Sequence, residues 1–110
     1  MELYERITSI MELTKNDIGF PKTYFKASLG TGKLLVLDHF PVPLYRLILT
    51  AKERLTIELI CIIMEQVITR LETIHSKGYL MLDLKPDNLG FKTADCEELF
   101  VTGMRCVQPY

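Results

Sequence analysis

A short polar stretch, DLKPDN at residues 83–88, combines three groups that can do chemistry. Asp83 supplies a carboxylate, Lys85 a cation, and Asn88 an amide. On one loop, a carboxylate can orient a hydroxyl group, a cation can meet a phosphate, and an amide oxygen can hold a metal ion. The alternative interpretation is a polar turn that only caps and solvates the apolar segment before it.

The apolar segment before this loop must position it, and its pattern predicts a long helix. Thr56 is the expected N-cap, and the helix should run to about Ser76 and stop at Gly78. Leu59 and Ile62 lie on roughly the opposite side from one broad apolar face. That face contains Ile57, Ile60, Cys61, Met64, Val67, Ile68, Leu71 and Ile74. We therefore expect this helix to need cover almost all round.

The other elements predict an α+β fold. They are a helix over residues 3–13, a β-hairpin of strands 23–29 and 33–40 around the sequence GTG, a short helix over residues 44–54, and two short strands in NLGF and LFVT. Leu44, Leu47 and Ile48 are expected to face inward from the short helix. The sequence PVP at residues 41–43 is predicted to exclude regular structure.

Composition and charge exclude several classes of protein. The 110 residues are 48% apolar and 25% charged, which is typical of a globular chain, and the formal charge of −1 indicates neither a nucleic-acid partner nor a membrane partner. The longest apolar run is broken by Glu58 and Glu65, too soon to span a bilayer. The first residues lack the pattern of a signal peptide. We expect a cytoplasmic or nuclear protein with reduced cysteines and no zinc site.

The spacing of DLKPDN matches the second part of the catalytic-loop signature of protein kinases. The longer sequence LTIELICIIMEQVITRLETIHSKGYLMLDLKPDN resembles the long helix and catalytic loop of the casein kinase 1 group of Ser/Thr kinases. Upstream, NDIGFPKTYF is similar to the segment after helix C in that group, GKLLVLDHF to the fifth strand with the hinge, and PVPLYRL to the start of helix D. The resemblance covers nearly all of the chain.

This resemblance implies a partial protein-kinase-like fold over residues 1–110. Residues 1–40 would be the remnant of the N-lobe and hinge, and residues 41–110 the start of the C-lobe through the catalytic loop. It implies ATP and Mg²⁺ as cofactors. The site residues that it implies are Asp83 and Lys85 for catalysis, Asn88 for the metal ion, Leu37 as the gatekeeper, and Asp38, His39 and Phe40 as the hinge that meets the adenine.

The chain also departs from the family pattern. Met81 and Leu82 stand where the His and Arg of the H-R-D motif belong, and Gly103 stands where the metal-chelating Asp of the D-F-G motif belongs. Neither a glycine-rich phosphate loop nor the strand lysine of kinases precedes the first helix. These losses argue against ATP and Mg²⁺ binding by this chain, because the metal-borne charge is a large term in phosphoryl transfer.

Three functions follow from this combination. The first is a truncated pseudokinase that holds a protein partner through surfaces left bare where a complete kinase would pack, without phosphoryl transfer. The second is an active Ser/Thr protein kinase of the casein kinase 1 type, completed by missing sequence or by another chain. The third is a chain with no independent role, either a decayed gene remnant or a partial gene model.

Overall fold

A computed structural model describes residues 2–50 and 55–110, and over these residues the fold is α+β, as predicted. The helices are α1 (Leu3–Leu13), α2 (Leu44–Thr50) and α3 (Ile57–Ser76). The strands are β1 (Thr23–Leu29), β2 (Gly32–Leu37), β3 (Val42–Pro43), β4 (Tyr79–Met81), β5 (Leu89–Phe91), β6 (Phe100–Val101) and β7 (Val107–Pro109). Short 3₁₀ turns occupy Pro86–Asn88 and Met104–Cys106. Across the described ranges, no helix combines the length and apolarity needed to cross a bilayer.

Helix α1 buries one face against the C-terminal part of the chain. Ile10 and Met11 are its buried residues, and the hydroxyl of Tyr79 in β4 donates a hydrogen bond of 3.0 Å to Ser9 Oγ. At the end of the helix, Thr14 donates two hydrogen bonds to the carbonyl oxygen of Ile10, one from its hydroxyl at 2.8 Å and one from its backbone N–H at 3.0 Å. The first helix was thus predicted correctly.

Strands β1 and β2 form the predicted antiparallel hairpin, but β2 ends at Leu37 and not at residue 40 as predicted. Gly30 takes a φ of +61° in the turn, a conformation that costs glycine little and other residues more. Leu35 and Leu37 pack against the core, but most of the hairpin is exposed. Its exposed large apolar side chains are Tyr24, Phe25, Leu29, Leu34 and Val36. The hairpin therefore has little hydrophobic support.

The prediction that residues 41–43 exclude regular structure is wrong. Val42 and Pro43 form β3, which pairs with Phe91 and Gly90 of β5 in a three-stranded sheet of order β3-β5-β6. Proline is tolerated there because β3 is an edge strand, so its missing N–H removes no ladder hydrogen bond. Helix α2 follows at once, and its predicted continuation over residues 51–54 lies outside the described residues.

Helix α3 begins and ends as predicted. The hydroxyl oxygen of Thr56 accepts a hydrogen bond of 3.1 Å from the backbone N–H of Leu59, and Gly78 follows the helix with a φ of +81°. The predicted apolar face is only partly buried, which corrects the sequence interpretation. Val67 and Ile74 lie in the core, whereas Ile57, Ile60, Cys61, Met64 and Ile68 are exposed.

Two polar residues of α3 fix the C-terminal segment. Arg70 is 9% exposed, and its Nε donates a hydrogen bond of 3.0 Å to the carbonyl oxygen of Leu99. The side-chain oxygen of Gln66 accepts from the N–H of Leu99 at 2.8 Å. Gly19, with a φ of +88°, leaves the space that the guanidinium fills, and its carbonyl oxygen accepts from the N–H of Val101 at 2.8 Å. Residues far apart in sequence thus meet at one junction.

Candidate active site

The loop that carries Asp83, Lys85 and Asn88 is held at both ends by short strands. Before it, β4 pairs with β7, and the N–H of Leu82 continues this pairing by donating to the carbonyl oxygen of Cys106 at 2.9 Å. After it, β5 lies in the centre of the three-stranded sheet with all three residues buried. The loop is therefore anchored although its own residues are mostly exposed.

Asp83 and Lys85 form an ion pair at the surface of this loop. Lys85 Nζ lies 3.1 Å from Asp83 Oδ2, and both side chains are about half exposed. The hydrogen bond to Asp83 and the charge of that carboxylate raise the pKa of Lys85, so it is a cation at neutral pH. An ion pair so open to water contributes little to stability, and its two partners remain accessible to other charged groups.

Asn88 connects the loop that carries Asp83 and Lys85 to the segment that contains Gly103. Its Nδ2 donates a hydrogen bond of 2.8 Å to the carbonyl oxygen of Asp83. The backbone carbonyl oxygen of Asn88 accepts hydrogen bonds from the backbone N–H groups of Thr102, at 2.9 Å, and Gly103, at 3.2 Å. A Cβ added at Gly103 would overlap Cγ and Oδ1 of Asn88. Positions 88 and 103 are therefore direct neighbours, and the amide of Asn88 occupies the space of a side chain at 103.

The donor groups at this position do not fit a Mg²⁺ ion of the kinase type. Mg²⁺ is held mainly through carboxylate oxygens and water. Position 103 offers no side-chain oxygen, Asn88 offers a neutral amide, and Asp83 is already paired with Lys85. Within residues 2–50 and 55–110, no group of three or more His, Cys, Asp or Glu side chains could hold a metal ion. The role of Asn88 as a metal ligand stays a prediction.

Asp38, one of the predicted hinge residues, makes the densest set of polar contacts in its region. Its Oδ2 accepts from the N–H of Lys22 at 2.8 Å and lies 3.7 Å from Nζ of Lys92, while the hydroxyl of Tyr24 donates to Oδ1. Burial by itself would raise the pKa of Asp38. The hydrogen bonds from Tyr24 and Lys22 and the charge of Lys92 outweigh burial and lower that pKa.

These contacts connect the hairpin to the three-stranded sheet, since Lys92 directly follows β5. The backbone N–H of Asp38 also donates to the carbonyl oxygen of Lys22, at 3.1 Å, so this N–H is already engaged. Asp38 is thus observed as a structural link, and its predicted contact with adenine remains a prediction.

The other predicted hinge residues lie around Asp38. Leu37 ends β2 and packs against the core, His39 is exposed, and the ring of Phe40 lies 4.9 Å from that of Phe100, measured between centroids. In the part of the chain that the structure describes, no hydrogen bond or salt bridge joins residues 37–40 to Asp83, Lys85 or Asn88. The three loop residues thus contact one another, and none of the four hinge residues is bonded to them.

Met81 and Leu82 directly precede Asp83, at the positions where the kinase resemblance predicts a His and an Arg. Met81 is half-buried in β4 and packs against the core, whereas Leu82 is 59% exposed. Neither side chain can hydrogen-bond the loop, so the loop depends on the backbone contacts of Leu82 and on Asn88.

Gln66, Arg70 and Gly19 contribute to the site by fixing the strand that leads to Gly103, and the sequence interpretation missed them. A signal was present. Gln66 and Arg70 are polar residues in a mostly apolar helix, and they are four positions apart. Residues at this spacing lie on the same face of a helix, so they can act as a pair. The partners of that pair, on residues 97–99, could not be read from the sequence because they are backbone groups.

The fold is consistent with a partial kinase-like fold, and comparison with known proteins supports a kinase-like similarity. The chain is 30% identical over 83 residues to casein kinase I homolog 3 of the fission yeast Schizosaccharomyces pombe, which covers 74% of this chain and 19% of the relative. It is 29% identical over 77 residues to casein kinase I homolog 2 of the same yeast, which covers 70% of this chain and 18% of that relative.

The similarity is therefore kinase-like and partial. The chain spans about a fifth of the length of the curated relatives it matches. No family model matches the chain.

Proposed function

We propose that this chain is a pseudokinase of the casein kinase 1 type that binds a protein partner and does not transfer a phosphoryl group. The observation that carries this proposal is the glycine at position 103. It lies directly against Asn88, at the point where a kinase needs a second oxygen ligand for its metal ion. Without that carboxylate, the charge that develops on the transferring phosphoryl group lacks its principal metal-borne stabilisation.

The arrangement of the neighbouring residues supports the same proposal. The amide of Asn88 donates to the backbone of Asp83, and Asp83 forms an ion pair with Lys85, so the polar groups of the loop satisfy one another. Such a loop can persist as a fold element without a nucleotide. The large exposed apolar side chains of α3 supply the surface for a partner.

The alternative is Ser/Thr protein kinase activity, with transfer of the ATP γ-phosphate to protein hydroxyl groups. One observation favours it, since Asp83, Lys85 and Asn88 are in contact on a single loop. In this alternative, Asp83 would orient the acceptor hydroxyl and Lys85 would meet the γ-phosphate. Asn88 would hold the metal ion with oxygens from the nucleotide.

Thermal unfolding with Mg²⁺ and ATP, together with transfer of radiolabel to a generic protein acceptor, distinguishes the two functions. A ligand at 100 times its dissociation constant stabilises a folded protein by about 2.7 kcal/mol, which raises the unfolding temperature by about 10 °C for a chain of this size. We expect no shift and no transfer.

The variant Asp83→Asn is the control for the label. Label that appears on the acceptor with the unmodified chain and disappears with Asp83→Asn would refute the proposal and establish the alternative. A thermal shift without transfer would show a nucleotide-binding pseudokinase, which would contradict the poor fit of the Mg²⁺ donors.

A further inference from the structure

Helix α3 carries a line of mostly exposed apolar side chains over residues 57–71. Its members, which we call the seam, are Ile57, Cys61, Met64, Ile68 and Leu71. They follow one another at alternating steps of four and three residues. An average step of 3.5 residues keeps side chains on one side of a helix and is the spacing with which one helix packs along another.

The core of the chain leaves this seam uncovered. Ile57 is 77% exposed, Met64 48% and Ile68 60%, while Leu71 is half-buried at the edge of the core. Two depressions adjoin the seam. One, of about 610 Å³, is lined by Ile68, Leu71, Glu72, His75 and Ser76. The other, of about 450 Å³, is lined mainly by aliphatic residues, including Met64 and Leu84, together with Lys85. The seam thus extends over residues 57–71, about 21 Å of the helix at about 1.5 Å per residue.

A row of acidic side chains borders the seam on one side. Glu58, Glu65 and Glu72 recur every seven residues, and at 100° per residue they lie roughly 80° around the helix from the seam. All three are exposed, and among the residues that the structure describes none of them forms a salt bridge. On the other border the corresponding positions are Ile60, Val67 and Ile74, of which the last two are buried in this chain's own core.

This arrangement decides between a second copy of the chain and a different partner. If two copies packed their seams antiparallel, the glutamate rows would face each other and repel. If they packed parallel, each glutamate row would face the border of Ile60, Val67 and Ile74, which is already largely occupied by the core. A partner helix with basic residues beside its own apolar line avoids the repulsion, because its Lys or Arg side chains would pair with the glutamates. It also brings only one core-occupied border to the contact, whereas two copies of this chain would bring two.

We propose that the seam binds an amphipathic helix of a partner protein, with apolar residues at 3.5-residue spacing and a flanking row of Lys or Arg that meets Glu58, Glu65 and Glu72. This inference rests on the proposed partner-binding function and specifies the partner's chemistry. The apolar contact supplies most of the affinity, and the charged row selects the partner and its orientation.

Two synthetic helical peptides test the proposal on the unmodified chain. Both are three heptads long with Leu at the seam-facing positions; one carries Lys at the flanking positions and the other carries Glu. Fluorescence anisotropy should show that the Lys peptide binds at least about tenfold more tightly than the Glu peptide, since three exposed ion pairs replace three repulsions. High salt should reduce this difference. Equal affinity for the two peptides, or no binding of the Lys peptide, would overturn the proposal.

Matched variants locate the contact. Ile68→Ser in the seam should weaken binding of the Lys peptide by about tenfold or more. Ile62→Ser should leave it unchanged, because Ile62 is 54% exposed and about a third of a turn away on the same helix. The triple variant Glu58→Lys, Glu65→Lys, Glu72→Lys should reverse the preference in favour of the Glu peptide. An equal loss of peptide affinity in Ile68→Ser and Ile62→Ser would contradict the placement of the peptide on the seam.

Sedimentation of the chain without peptide completes the test. We expect a monomer, and a dimer that Ile68→Ser disrupts would show that a second copy occupies the seam, which would overturn the choice of partner. Failure of peptide binding alone would not refute the proposed pseudokinase function, because the result that refutes that function is Asp83-dependent transfer of label from ATP. The two failures are therefore distinguishable.

Discussion

The guanidinium group of Arg70 fills the space in which a side chain at position 19 would lie. A Cβ at Gly19 would overlap Nε of Arg70, and the φ of +88° is in addition unfavourable for residues with a side chain. Gly19 is thus required for two separate reasons, one steric and one conformational.

Gly19→Ala should therefore destabilise the fold by about 3 kcal/mol or more, measured by urea unfolding. Gly30→Ala is the matched control, because Gly30 also has a positive φ but no atom within 4 Å of an added Cβ. It should cost only about 1–2 kcal/mol. Equal losses in the two variants would show that Arg70 does not constrain position 19.

The carboxylate of Asp38 links the hairpin to Lys92, and it makes stability depend on pH. Its pKa is lowered in the folded chain, because the hydrogen bonds and the lysine charge outweigh burial. A lowered folded-state pKa adds stability above the unfolded value of about 3.9, and this stability is lost as the pH falls through the folded-state pKa.

Asp38→Asn should therefore be less stable than the unmodified chain at neutral pH, and the difference should shrink as the pH falls below about 4. Urea unfolding as a function of pH measures it. Asp95→Asn, in an exposed turn, is the control and should leave the acid dependence unchanged. A constant difference between Asp38→Asn and the unmodified chain at every pH would mean that the charge of Asp38 is not involved.

Among the elements, α3 has a buried edge and an exposed seam. Ile74 is fully buried and Ile68 is 60% exposed, although both are isoleucines of the same helix. Ile74→Ala should lower the free energy of unfolding by about 2–5 kcal/mol, whereas Ile68→Ala should change it by less than about 0.5 kcal/mol. Urea unfolding of both variants checks this. Similar losses would show that the seam is covered in the folded chain.

Most elements could be predicted because their signals are local. Periodicity fixed the extent of α3, Thr56 and Gly78 marked its ends, and glycines marked the hairpin turn. In the candidate site, the six-residue spacing placed Asp83, Lys85 and Asn88 on one loop, where they are in contact. The roles assigned to these residues stay predictions.

The features that the sequence did not reveal depend on distant partners. Strand β3 exists because β5, nearly fifty residues later, offers it a partner, and β7 exists because β4 does. The periodicity of the sequence indicated a broad apolar face on α3. It could not indicate which part of that face the rest of the chain buries. The burial of Arg70 depends on the backbone of Leu99, which carries no signal in its side-chain type.

On the scale of the whole molecule, support is uneven. The buried residues are concentrated where α1, α3 and the strands from β4 onward meet, and the hairpin contributes no fully buried side chain. An isolated two-stranded hairpin is at best marginally stable in water. The hairpin should therefore open more readily than the remainder of the fold.

Hydrogen exchange measured by mass spectrometry should show this difference. We expect faster exchange of the amides of residues 24–36 than of residues 67–76, the part of α3 that packs on the core. Because amides at the start of a helix lack intrahelical partners, the comparison uses the interior and end of α3. Equal protection of the two segments would indicate that the hairpin is covered in solution.

The contacts around Gly19 can form only late during synthesis of the chain. The carbonyl oxygen of Gly19 accepts its hydrogen bond from Val101, and the guanidinium of Arg70 beside it bonds to the carbonyl of Leu99. These bonds cannot form until residue 101 has left the ribosome. The loop that follows α1 therefore lacks these hydrogen bonds while some eighty further residues are translated. During that interval the apolar side of α1 is accessible to chaperones.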